Sequence, residues 1–164
     1  MPIIDQFMPA QGEPVVPAEW FLPSVHSVYF LIFSRMLALP LSAPHRESLA
    51  QPRLLPLLDY LPIFDATRAV HQPHGGRCLG LQIPMGAHGS MGAAALASPS
   101  IAQAMETIAR YAHIRNRLFD FECQRQAGMV SLWMRPRMPL GDYGLFIENV
   151  TVFGKFSILQ GMAH

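Results

Sequence analysis

Chemistry in this chain would have to come from a histidine-rich stretch, from two cysteines or from a pair of acids. His71, His74, Cys78 and His88 offer nitrogen and sulfur donors of the kind that zinc or copper accepts. Their H-x-x-H-x-x-x-C order lacks a second C-x-x-C or H-x-x-x-H pair, and paired spacing is what makes such a set specific. Solvated loop histidines are the competing reading. Cys78 and Cys123 have no histidine at a familiar spacing, and no G-x-S-x-G elbow occurs. The glycine-rich run GRCLGLQIPMGAHG is not followed by the G-K-[ST] of a phosphate loop. Asp120 and Glu122 share a strand face, which suits an acid pair and a solvated face equally. The reading is therefore non-enzymatic, with no catalytic residue, metal or cofactor.

Binding is the function left with physical content. A small-molecule pocket needs mostly apolar walls and a few polar anchors. The expected walls are Tyr29, Phe30 and Phe33 from an apolar helix, Phe119 and Phe121 from a hairpin, and Trp133 opposite. Arg35, Arg110 or Arg77 would hold a carboxylate or hydroxyl through a forked guanidinium. Each aromatic also has a plain core reading, and Arg110 a surface one. Arg35 differs, because a cation inside so apolar a helix needs a partner or an exit to water.

Composition narrows the class. One domain of 164 residues can bury a proper core. The chain is 51% hydrophobic and 14% charged, apolar for a protein that meets water on every side. Part of its surface is thus expected to face a partner or a membrane. A formal net charge of +1 argues against a nucleic-acid surface within the chain. The two scattered cysteines read as free thiols in a reducing cytoplasm. The amino terminus has neither the basic region nor the apolar core of a signal peptide.

Periodicity supplies the elements. Residues 1–17 carry prolines and no period, and read as an irregular arm preceding one domain over 18–164. Glu19 to Leu41 is the most apolar run, but Pro23, His26 and Arg35 interrupt it too closely for a membrane span. It is expected to be a buried helix from about Ser24 to Leu39. Helices are also expected over Leu54–Leu61 and from Pro62 through Val70, with a loop over His71–Arg77 and a strand over Cys78–Ile83. Ser90–Ser98 suits a short, closely packed helix. Ser98 is expected to cap the next helix with Pro99 in its first position, and Ile101, Ala104, Met105, Ile108 and Ala112 make its apolar stripe. Leu118–Arg125 and Met129–Arg137 alternate on either side of Ala127-Gly128, a hairpin signal. Asp142–Gln160 mixes strand-favouring residues with a helical period and is assigned as helix. The fold class is α+β: a helical amino-terminal half, a small antiparallel hairpin sheet and a carboxy-terminal helix.

The stretch around this central helix resembles the ligand-binding domain of arabinose-regulator-type (AraC/XylS) transcription factors. Those domains read G-x-x-G, a short helix, S-P-T-hydrophobic-x-E-A and an aliphatic-x-R-Y tail. Here Gly89 and Gly92, Ser98-Pro99-Ser100-Ile101, Ala104 and Ala109-Arg110-Tyr111 follow in that order. Ser100 replaces the usual Thr, and Gln103 the usual acid. The resemblance is close over Gly80 to Gln126. It implies an effector-sensing, homodimerising domain in the cytoplasm, off the membrane, which meets DNA only through a carboxy-terminal helix-turn-helix module not found in this chain. An arm that folds over the effector is a further implication. Two rival readings remain: a ligand-free assembly domain, and a small metalloenzyme on the His71/His74/Cys78 loop.

Overall fold

The computed structural model describes residues 16–71 and 74–162, the side chains of Ser48 and residues 68–71 excepted. Of the expected arm, residues 1–15 lie outside the described residues.

The apolar run expected as one helix divides at His26. Strand β1 (Pro23–His26) precedes helix α1 (Ser27–Met36). His26 Nδ1 accepts a hydrogen bond from the Val28 amide at 3.2 Å, which caps the helix from the strand's last residue. The helix stops where Ala38 turns left-handed at φ 50°, with the Leu39 amide donating to the Ser34 carbonyl at 2.9 Å.

Helix α2 (Ala43–Ala50) is capped by Ser42. The helix expected over Leu54–Leu61 is instead strand β2 (Leu54–Pro56) followed by a 3-10 turn over Leu57–Tyr60. Pro52 and Pro56 push the residues before them, Gln51 and Leu55, out of the helical region and into extended backbone. Pairing of β2 with β1, Val25 opposite Leu55, takes up the backbone instead. Helix α3 (Leu61–His71) then follows.

Of the loop expected over His71–Arg77, residues 72 and 73 lie outside the described residues; helix α4 (Gly75–Leu81) replaces its end and the strand expected over Cys78–Ile83. Glycine is a poor helix former, at roughly 1 kcal/mol below alanine. Gly76 and Gly80, four apart, place a bare face against helix α7 (Gly144–Gln160), so packing overrides propensity. A Cβ on Gly80 would stand 2.6 Å from the Val150 carbonyl oxygen.

Helix α5 (Gly89–Leu96) packs on helix α6 (Ile101–Tyr111), and Met91, Ala95, Ala104 and Ile108 form a small core of their own. The cap of α6 is Ser100, whose Oγ accepts from the Gln103 amide at 3.3 Å. Ser98, expected in that role, donates its hydroxyl back to the Ala94 carbonyl at 3.0 Å and finishes α5. Strands β3 (Phe119–Gln126) and β4 (Met129–Pro136) form the expected hairpin. Its turn residues, Ala127 at φ 50° and Gly128 at φ 81°, are both left-handed, as a tight hairpin requires.

The architecture is α+β, with seven α-helices and two two-stranded antiparallel sheets among the described residues. The larger core joins α1, β1, β2, α3, α4 and α7, and Phe121 packs against both it and the smaller one. No helix among the described residues is long and apolar enough to cross a membrane.

Candidate functional site

Strand β1 is held from both edges. Strand β2 pairs on one side, and the segment Arg115–Arg117 bridges it antiparallel on the other, Asn116 opposite Val25. The His26 amide donates to the Arg115 carbonyl at 2.9 Å, and the Arg117 amide to the Ser24 carbonyl at 2.7 Å. Between them Asn116 turns inward and is buried. Its Oδ1 accepts from the Leu118 amide at 2.9 Å, and its Nδ2 donates to Thr151 Oγ1 of α7 at 3.4 Å.

These contacts enclose a cavity of about 50 Å³. Helix α1 contributes Tyr29 and Phe33, α3 contributes Phe64, and the turn before α5 contributes His88. Helix α7 contributes Ile147, Val150, Thr151, Gly154 and Lys155. Apolar walls predominate, and the volume admits a few waters. It is well below the roughly 300–1,000 Å³ of pockets for drug-sized ligands.

The polar groups form one electrostatic unit. The Tyr29 hydroxyl and His88 Nδ1 stand 3.3 Å apart. His88 is 1% exposed, and its Nε2 makes no well-formed hydrogen bond among the described residues, although the Gly154 backbone lies near enough to act on the ring as an acceptor. Burial holds its pKa down at about 3, helped by the positive charges of Lys155 and Arg115 and opposed by the Gly154 backbone. The imidazole is thus neutral at ordinary pH. Burial pushes the Tyr29 phenol up to about 12. Lys155 is 6% exposed, and burial, then the Arg115 charge, lowers its ammonium to about 8. Arg115 reaches this corner because Gly89, left-handed at φ 58°, has no side chain; a Cβ there would collide with the guanidinium. The ion pairs among the described residues lie elsewhere, at Arg125–Glu106, Arg135–Glu122 and Arg137–Asp120. Lys155 therefore lines the cavity with Arg115 near enough to act on its charge, and neither has a carboxylate in ion-pair reach among the described residues.

The family model described as the arabinose-binding domain of AraC transcription regulators, N-terminal, matches residues 45–160. The chain belongs to that family. No curated protein is similar enough to the chain to count as a relative. This AraC-family match runs from α2 to the end of α7 and takes in the stretch whose motif resemblance was read from sequence. It makes the chain a ligand-sensing regulatory domain, of a family that is not one of enzymes. His88, Asn116, Thr151 and Lys155 lie inside the match, whereas Tyr29 and Phe33 precede it.

The AraC-family cavity brings together only some of the residues expected to form it. Tyr29 and Phe33 line it. Phe30 is buried on another side of α1, edge-on to Tyr60 at 5.4 Å. Phe119 is buried with Phe121 beside it, outside the cavity. Trp133 is 51% exposed on the hairpin's outer face, opposite Glu122. Arg110 is exposed in the last turn of α6, and Arg77 lies over the Phe153 ring at 5.2 Å. Arg35 is exposed on α1 and lines an outer groove with Leu39 and Arg46, which is its exit to water.

The histidine-rich stretch is dispersed. His74 is exposed at the start of α4, Cys78 is half-buried on that helix, and His88 faces the cavity; the His71 side chain lies outside the described ones. No three His, Cys, Asp or Glu side chains among the described residues gather as a metal site would require. Asp120 and Glu122 are exposed and each meets an arginine. Sequence reasoning missed Lys155, Asn116 and Thr151. One signal was present: Lys155 is the chain's only lysine beside eleven arginines, placed in an apolar helix.

Proposed function

We propose that this AraC-family domain senses a small-molecule effector in the cavity between α1 and α7, and reports occupancy to a DNA-reading module carboxy-terminal to it. The observation that carries this reading is the Tyr29–His88 pair with Lys155 beside it, buried in a wall that is mostly apolar. Buried polar groups cost stability unless something satisfies them, so a fold that retains them at a cavity has a use for them. The small volume supports a mechanism in which the effector favours a wider arrangement of α1 against α7. A ligand shifts such an equilibrium only by its differential affinity for the two states.

Homodimerisation in the cytoplasm completes the reading. Met129, Trp133, Leu145 and Val152 are exposed large apolar residues on the hairpin and α7, and they fit a surface that another subunit covers. Effector and dimer together account for the apolar composition.

A thermal-shift screen of metabolites, run at several protein concentrations, tests this. A melting temperature that rises with one compound's concentration is the expected result, since a ligand of the folded state alone must stabilise it. Concentration-dependent association with no stabilising compound would favour the assembly reading instead.

A further inference from the structure

We infer that the effector is a carboxylate with a small apolar body, its carboxyl group held by Lys155 Nζ and His88 Nε2, and not a polyol. The inference rests on the cavity being the effector site and adds the chemical class of what enters it.

Three observations carry it. Lys155 is a buried ammonium with no carboxylate in ion-pair reach among the described residues, and Arg115 adds a second positive charge nearby. An uncompensated buried charge is strongly unfavourable, and an anion in the cavity would relieve it. Second, His88 Nε2 is buried with no well-formed hydrogen bond, the Gly154 backbone being its one neighbouring acceptor among the described residues. In the tautomer in which the Tyr29 hydroxyl donates to Nδ1, the neutral ring carries its proton on Nε2, a donor that only the Gly154 backbone engages. Ammonium and imidazole thus present donors only, and an ionised carboxylate is acceptor-only.

Third, the cavity has little for a sugar. Each hydroxyl of a polyol both donates and accepts, and leaving such groups unpaired in a buried site is costly. Val25, Phe33, Ile83, Leu118 and Ile147 supply no partner, and the other polar lining groups, the Tyr29, Tyr60 and Thr151 hydroxyls and the Asn116 amide, are each already in an internal hydrogen bond. The same walls suit a short aliphatic or aromatic body, and the volume favours a small one.

Because Lys155 is the only lysine, lysine-selective isotope labelling of the whole chain gives one side-chain NMR signal to follow. The probes are acetate, butyrate and benzoate, their neutral amides, and L-arabinose, with thermal shift in parallel. At least one acid is expected to raise the melting temperature dose-dependently and to move the Lys155 pKa up by a unit or more. Its amide should bind at least tenfold more weakly. Lys155→Met should fold with undiminished melting temperature, since it removes a buried charge, and should lose the response to the acid.

Equal response to acid and amide, stabilisation by L-arabinose but by no acid, or full acid response in Lys155→Met overturns the inference while leaving effector sensing standing. So does a Lys155 signal that titrates normally without ligand and shifts down in the Asp5→Asn/Glu13→Gln chain, because the counter-charge is then the chain's own. Failure of the acids together with failure of a whole metabolite extract to stabilise the chain overturns the sensing reading as well.

Discussion

Tyr29 and His88, 59 positions apart, meet inside the protein with 3.3 Å between hydroxyl and Nδ1. The contact ties α1 to the turn before α5 and fixes which imidazole nitrogen faces the remaining space. Tyr29→Phe leaves a buried nitrogen without its partner and should cost about 1–3 kcal/mol. In a His88→Phe background the same change should cost much less. Urea unfolding of the four chains, read as a double-mutant cycle, checks the coupling; a coupling near zero would remove the pair from the account.

Acid should destabilise the protein through His88. Its folded pKa of about 3 lies below the ordinary 6.5, so between these values the unfolded chain takes up a proton that the folded one refuses. Stability is therefore fully present above 6.5 and is lost as pH falls toward 3. Urea midpoints should decline from pH 7 to pH 5, where carboxylates contribute least, and the His88→Phe chain should show a flatter decline.

Lys155 has the opposite consequence in alkali. Its ammonium is lowered from 10.5 to about 8, so the folded chain releases its proton first and stability rises with pH across that window. The full shift corresponds to roughly 3 kcal/mol. Above pH 10 the raised phenol of Tyr29 works against the gain, because the folded chain then holds the proton longer. Unfolding measured between pH 8 and pH 10 should show a rise in this chain and none in Lys155→Met.

Gly80→Ala should cost well over 2 kcal/mol, although alanine is the better helix former by roughly 1 kcal/mol. The added Cβ meets the Val150 carbonyl oxygen at 2.6 Å and Phe153 Cβ at 3.0 Å, and neither backbone yields without parting α4 from α7. Gly86→Ala, with nothing within 4 Å, is the control and should be close to neutral. Comparable melting temperatures for the two variants would contradict the packing described for α4.

Removing the α6 cap by Ser100→Ala should cost about 1 kcal/mol. Ser98→Ala loses only a side-chain bond to a carbonyl in the preceding helix, at 3.0 Å, and should cost less. Thermal unfolding of the two variants compares them directly, and the reverse order would return the cap to Ser98.

Legibility followed the reach of the signal. The α6 stripe could be read in part: Ala104, Ile108 and Ala112 recur at helical spacing and are fully buried, whereas Ile101, expected on the same stripe, is 53% exposed and Met105 is half-buried. The hairpin could be read because alternation and a glycine-containing turn are local. Helix α7 was assigned from competing signals, and its buried face, Ile147, Val150, Thr151, Lys155 and Ile158, includes two polar residues among apolar ones. Exposed Leu145, Val152 and Phe156 cover the other side, so apolarity did not single out the inward face.

By itself, then, the sequence determined the α+β class, the central helix, the hairpin and the kinship with arabinose regulators, all of which depend on residues near one another in the chain. Only the tertiary structure decided that GGRCLGL is helical, because its glycines matter through the backbone of α7 lying against them. It likewise decided which residues share a cavity, sending Arg35 and Trp133 outward and bringing Tyr29, His88 and Lys155 together. Whether a charge is buried depends on which distant segments cover it, and periodicity along one helix does not contain that information.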